Sequence, residues 1–213
     1  MTAAKRVRLS PEARRAQLIE LGVELLGSRR LDELSVELIA GRAGISRGLL
    51  FHYFAGVQDF HLAVARAAAA EMLRRTEADP SLDPVAALRA AITAFVGYVE
   101  ENPDSYRSLV RGAVGDVDMR AIVDGTRSAF AQRIVDAVGE LGLRLSAAAV
   151  LAAQGWVTYA EECVLRWLDD RAIGRPALLE MLTRSLPAVM MAASDDDAAG
   201  LAPIFAAAIG GDD

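Results

Sequence analysis

The stretch from Ser35 to Phe54, S-V-E-L-I-A-G-R-A-G-I-S-R-G-L-L-F-H-Y-F, constrains this chain more than any other. Leu38, Ile39 and Ala43 mark one apolar helical face, Gly44 breaks it, and Ser46 is placed to cap a new helix. The reading is two short helices joined by a tight turn, a helix-turn-helix, with the second helix at about Arg47 to Tyr53. In such a motif the second helix is the one that enters a DNA major groove. Leu50 and Phe54 are expected to pack inward against the first helix of the chain.

The chain around this stretch is written as helices. Ser10-Pro11 reads as a cap followed by proline at the first helical position, opening a helix to about Ser28 whose Leu18, Leu21, Leu25, Ile19 and Leu26 follow helical spacing. Leu31 and Leu34 are expected to anchor the connection to the next helix, which Ser35 caps. A long helix is expected from about Val57 to Ala78. Beyond it, Asp83-Pro84, Asn102-Pro103, Gly115-Asp116, Gly142, Ser146 and Gly174 to Pro176 punctuate further helices. The last two long ones run at about Ala147 to Ala172 and Pro176 to Ala193, with Pro187 as a kink inside the second. No alternating β-branched run is present. The fold class is therefore all-α: an N-terminal helix-turn-helix domain at residues 1–56 and a helical bundle at 57–213. Ser194 to Gly200 reads as a loop and Leu201 to Ile209 as a short terminal helix.

Net charge argues first against and then for a nucleic-acid partner. The whole chain carries −6, whereas phosphate attraction needs local positive charge. Up to Phe54, however, nine basic residues face six acidic ones, for +3, and the remaining 14 basic and 23 acidic residues give −9. A basic head on an acidic body is the distribution expected of a DNA-contacting domain joined to a non-contacting one. Lys5, Arg6 and Arg8 form a basic arm ahead of the first helix, suited to tracking phosphates.

Other function classes find little support. The single Cys163 permits neither an intrachain disulfide nor a cysteine metal cluster. His52 and His61 lack companions at ligand spacing, so no metal is expected. Phosphate-loop, paired-histidine zinc and nucleophile-elbow patterns are absent, and no cofactor is expected. Glu161 and Glu162 are adjacent on a helix, pointing about a third of a turn apart, which suits solvated or interface roles better than a shared catalytic proton. The apolar stretches fall short of a membrane span. A cytoplasmic, non-enzymatic protein is the expectation.

The text L-I-A-G-R-A-G-I-S-R-G-L-L-F-H-Y-F, followed by a short turn and D-F-H-L-A-V and preceded by a capped amphipathic helix, resembles the tetracycline-repressor (TetR) family of transcriptional regulators. The resemblance implies a homodimer on a palindromic double-stranded DNA operator, a small-molecule effector bound in the body, and repression relieved when that effector binds. On the recognition element, Ser46 with its neighbouring amides can meet a phosphate, Arg47 can reach a guanine edge or the backbone, Gly48 permits close approach, and Leu49 can touch a thymine methyl. Ser35, Arg42, Phe51, His52 and Tyr53 complete the candidate DNA-contacting set. Two positions depart from the family pattern: Phe51 stands where a phosphate-binding tyrosine is usual, and Val57 where a lysine is common. His52, Tyr53, the free amides and partial positive charge at the start of the fourth helix, Arg42 and the basic arm are the candidates to compensate.

The same resemblance points to an effector site in the body, with Phe95, Tyr98, Tyr106, Phe130, Trp156 and Tyr159 as candidate lining for a mainly apolar molecule. It also makes the last two long helices a dimerisation pair, with Trp167, Leu168, Leu179, Leu182, Leu186 and Met190 as apolar anchors. The alternative from another class is a helical small-molecule binding protein whose helix-turn-helix no longer binds DNA.

Overall fold

A computed structural model describes residues 10–193. The basic arm and the segments expected at 194–200 and 201–209 lie outside the described residues. Among those described there are nine α-helices and no strand: α1 (Pro11–Leu26), α2 (Val36–Ala43), α3 (Arg47–Tyr53), α4 (Val57–Arg75), α5 (Pro84–Glu101), α6 (Pro103–Gly112), α7 (Val117–Glu140), α8 (Ala147–Asp170) and α9 (Arg175–Ala192).

The helix starts are written in the sequence because each is a local hydrogen bond. The hydroxyls of Ser10, Ser35, Ser46 and Ser146 accept from the backbone amides of Ala13, Leu38, Leu49 and Ala149, each at 3.2 Å. Asp83 accepts from Val85 and Ala86 at 3.0 Å, and Asp116 from Asp118 and Met119 at 2.9 and 3.0 Å. Such a cap contributes about 1 kcal/mol by satisfying amides that the helix leaves open. Gly142 ends α7 with φ +77°. At Asn102-Pro103 α6 opens on Pro103 as expected, and Asn102 also closes α5: its Nδ2 donates to the Tyr98 carbonyl at 2.9 Å.

The described residues divide into two compact units, one of residues 10–69 and 104–120, the other of 70–103 and 121–193. In the first, Leu18, Leu25, Leu26, Leu31, Leu34, Ile39, Leu50, Phe54, Phe60 and Val64 are buried. The buried face of α2 is Val36, Ile39 and Ala40, an i, i+3, i+4 set, while Leu38 and Ala43 are half-buried at its margins. On α1, Leu21 and Ile19 are also marginal, and Gly22 takes the central position: a Cβ there would lie 2.4 Å from Val64 Cγ2 and 3.0 Å from Phe60 Cζ. Hydrogen at this position lets α1 and α4 approach. His61 Nε2 meets the Leu34 carbonyl at 2.9 Å, tying α4 to the segment ahead of α2.

In the second unit α8 and α9 pack together and α5 packs on both. Val96, Val99, Ala153, Val164, Leu178, Leu182 and Met190 are fully or almost fully buried. The turn between α8 and α9 is clamped by charge. Glu100 accepts from Arg171 Nη1 at 3.0 Å and Arg175 Nε at 2.8 Å, and the Arg171 guanidinium stacks 4.3 Å over Trp167. Arg171 ends α8 at φ +48°, an uncommon conformation for a side chain with a Cβ, held there by these contacts. Of the Glu161-Glu162 pair, expected in solvated or interface roles, Glu161 is not solvated. It is buried and receives the Arg127 guanidinium, Nε to Oε2 at 3.0 Å, whereas Glu162 is exposed and pairs with Arg166.

Candidate nucleic-acid interface

The turn between α2 and α3 is built from three local devices. Ser35 and Ser46 cap the two helices, Gly44 sits at φ +65° where a Cβ is disfavoured, and the Ile45 amide donates to the Ala40 carbonyl at 3.0 Å. Leu50 and Phe54 turn inward as expected, each 2 % exposed. Phe54 meets Phe60 edge-on at 5.1 Å, and the Arg15 guanidinium of α1 lies 4.8 Å over the Phe54 ring. The recognition helix is therefore held from behind by apolar packing and a cation–π contact.

Its other face is open. Arg47, Gly48, Leu49, Phe51 and His52 are exposed, Tyr53 is half-buried with its ring 5.3 Å from that of His52, and Arg42 is exposed in the last turn of α2. Phe51 is the largest apolar side chain of α3 left facing solvent, at 48 % exposure. Ser35 and Ser46 are both exposed caps, so their hydroxyls are already engaged by amides of their own helices.

Two features of this face were not singled out from the sequence. Arg47 is not free: its Nη2 lies 2.9 Å from Oε1 of Glu37, with both side chains more than half exposed. In the sequence Glu37 is only one of six acidic residues in the head; that it meets Arg47 depends on the α2–α3 angle. The second feature is at the start of α4, where Val57 is exposed. Asp59 accepts from the Ala55 amide at 3.0 Å, and the Gln58 amide donates to Asp116. An anion of the chain's own thus already lies at this helix start, which weakens its use as a phosphate site.

The candidate effector residues are only partly brought together. Phe95 and Phe130 meet edge-on with centroids 6.2 Å apart, and Arg133 lies 5.7 Å from the Phe130 ring while donating to the Thr76 hydroxyl. Tyr98 is buried with the Arg75 guanidinium 5.4 Å from its ring, and burial pushes its phenol above the ordinary value. Trp156 donates to Ser185 Oγ at 2.8 Å, and Tyr159, close to Cys163 and Ser185, is 43 % exposed; burial raises its phenol also. All of these belong to the second unit. Tyr106, although buried, belongs to the first.

With this geometry in view, the comparisons with known proteins are specific. Residues 18–64 match the model for bacterial regulatory proteins of the tetR family, and residues 84–189 match the tetracyclin repressor-like C-terminal domain. A crystal structure of a tetR-family transcriptional regulator from Streptomyces coelicolor is 30 % identical, with a TM-score of 0.80 over 93 % of this chain and 90 % of that one. The chain belongs to the TetR family.

A TetR-family chain is a transcriptional regulator and not an enzyme, and its helix-turn-helix is the family's DNA-binding element. Among curated relatives, the HTH-type transcriptional activator FasR of Mycolicibacterium smegmatis strain ATCC 700084 / mc(2)155 is 26 % identical over 178 residues, covering 81 % of each chain. The fold is shared with the multidrug binding protein EbrR complexed with proflavin, at TM-score 0.63, 16 % identity, 83 % of this chain and 99 % of that one. Within this TetR-family body the apolar anchors expected for a dimer are corrected. Trp167, Leu182, Leu186 and Met190 are 5 % exposed or less inside the single chain. Their periodicity marked an apolar face, and α8, α9 and α5 cover that face among themselves. Leu168 and Leu179 are half-buried, and the large apolar side chains that α8 and α9 leave exposed are Leu151, Tyr159 and Val189. Among the described residues no helix is long and apolar enough to cross a membrane, and no cluster of three or more His, Cys, Asp or Glu is placed to hold a metal ion.

Proposed function

We propose that this protein is a cytoplasmic, homodimeric repressor that reads a palindromic operator with α3 and is released from it by a mainly apolar small molecule. The observation that carries the reading is the two-sidedness of α3. Leu50 and Phe54 hold it to the head, while Arg47, Gly48, Leu49, Phe51 and His52 stand open beside Arg42. Ser35, Ser46 and Tyr53 complete the contact set, with the caps fixing the helix ends. Domain roles follow: residues 1–56 form the DNA-binding domain and residues 57–213 the effector and dimerisation domain.

Support for an apolar effector comes from the aromatic side chains of the body, Phe95, Phe130, Tyr98, Trp156 and Tyr159, and from EbrR, whose partner is proflavin. Support for the dimer comes from Leu151 and Val189, apolar groups that α8 and α9 leave uncovered. Release requires the effector to prefer the DNA-free arrangement of the heads, since equal affinity for both states shifts nothing. A second reading, activation, is favoured by FasR, which is named an activator. The test is selection from a random duplex pool followed by footprinting. Two half-sites about one DNA turn apart are expected; a single unpaired half-site contradicts the dimer. A reporter carrying the selected site then gives the sign of regulation.

A further inference from the structure

We propose that Glu37 is the specificity-determining positioning residue of the DNA-reading face: its carboxylate holds the Arg47 guanidinium and withholds it from passing phosphates, so that nonspecific affinity is lowered and discrimination raised. The inference rests on the reading of α3 as the element that meets DNA.

Glu37 is the second residue of α2 and Arg47 the first of α3, and their charged groups meet at 2.9 Å. The connection between them is fixed by the two serine caps, by Gly44 at φ +65° and by the Ile45 to Ala40 hydrogen bond, so the pair spans a rigid turn. Glu37 is also the single acidic residue between Ser35 and Phe54. On a surface that must approach a polyanion, a carboxylate is unfavourable unless it does something there.

With side-chain exposures of 65 % and 59 % the pair contributes little to stability in water. It is therefore not a device for holding the fold. Against DNA, water leaves the site and the attraction between the two groups strengthens. An arginine already oriented by a carboxylate loses less side-chain freedom on docking, and its remaining fork of donors suits the paired acceptors of a guanine edge. A phosphate accepts from many directions and gains nothing from that orientation, while it is repelled by the carboxylate. Removing the charge of Glu37 should therefore act in opposite senses on the two kinds of binding.

The experiment uses the full chain and two duplexes: one selected by the wild type from a random pool, and a scrambled duplex of equal length. Glu37→Gln is compared with Glu20→Gln, which removes the same charge from an exposed site on α1. The expected result is that Glu37→Gln binds the scrambled duplex about 3- to 10-fold more tightly than Glu20→Gln, with a log–log salt slope steeper by about one. Its preference for the selected duplex should fall by about 10-fold. In an Arg47→Ala background the change from Glu37 to Gln should leave that preference unaltered. Equal behaviour of Glu37→Gln and Glu20→Gln on both duplexes overturns the proposal and leaves DNA reading by α3 intact. Failure of the wild type to select any sequence overturns the reading of α3 itself.

Discussion

Replacing Gly22 with alanine sets two well-measured effects against each other in one place. Alanine in a helix interior is favoured over glycine by about 1 kcal/mol. Here the added Cβ would lie 2.4 Å from Val64 Cγ2, a full ångström inside ordinary contact. Turning Val64 about χ1 offers no escape, because its Cγ1 is already 3.3 Å from the same point and a β-branched side chain has few rotamers in a helix. Phe60 Cζ at 3.0 Å closes the other side, and both neighbours are at most 1 % exposed. Relief must come from separating α1 and α4, for which overpacking costs of about 1–3 kcal/mol apply. Taking the upper part of that range against the propensity gain, Gly22→Ala should destabilise by about 2 kcal/mol, lowering the melting temperature by roughly 4–8 °C. Circular dichroism melts, with amide exchange of α1 and α4, measure it. The double variant Gly22→Ala/Val64→Ala should be less destabilised than the sum of its singles by about 1–2 kcal/mol, since the new methyl enters the space left by the valine. A Gly22→Ala protein as stable as the wild type would refute the packing account.

Further predictions follow from the charged contacts of the second unit. Burial pushes the Glu100 carboxyl up, the hydrogen bonds and charges of Arg175 and Arg171 pull it down further, and the net position lies below the ordinary carboxylate value. Its stabilising contribution is then complete above the unfolded pKa of about 4.3 and is lost as pH falls through the lower folded value. The melting-temperature gap between wild type and Glu100→Gln should therefore be widest near neutral pH and close as pH drops towards about 3; a gap constant with pH would contradict it. Arg127→Met should cost about 2–3 kcal/mol by leaving the Glu161 carboxylate buried with one guanidinium fewer, and Arg127→Met/Glu161→Leu should regain most of that in denaturant unfolding.

What the sequence discloses here is what depends on neighbours along the chain. Ser10, Ser35, Ser46, Asp83 and Ser146 could be read as caps because the amides they satisfy are two or three residues away. Leu50 and Phe54 could be read as inward-facing because the spacing of so short a helix leaves one face for the core. Trp167, Leu182, Leu186 and Met190 show the limit of the same method. Periodicity declares an apolar stripe and is silent on whether α5 or a second subunit covers it. Glu161 could not be recognised as buried, because the arginine that makes burial tolerable is 34 positions away on another helix. Gly22 was hidden for a related reason: its significance is the proximity of α4, not any turn of its own backbone. The Glu37–Arg47 pair needs the angle between two helices that sequence spacing alone does not supply.

The central claim is that α3 reads DNA through the face carrying Arg47. Fluorescence anisotropy of a selected duplex, titrated with wild type and Arg47→Ala at one fixed salt concentration beside a scrambled duplex, addresses it directly. The account predicts that the wild type prefers the selected duplex and that Arg47→Ala loses about 1–3 kcal/mol of that preference while remaining folded. Equal preference in the two proteins, or none in the wild type, would contradict it.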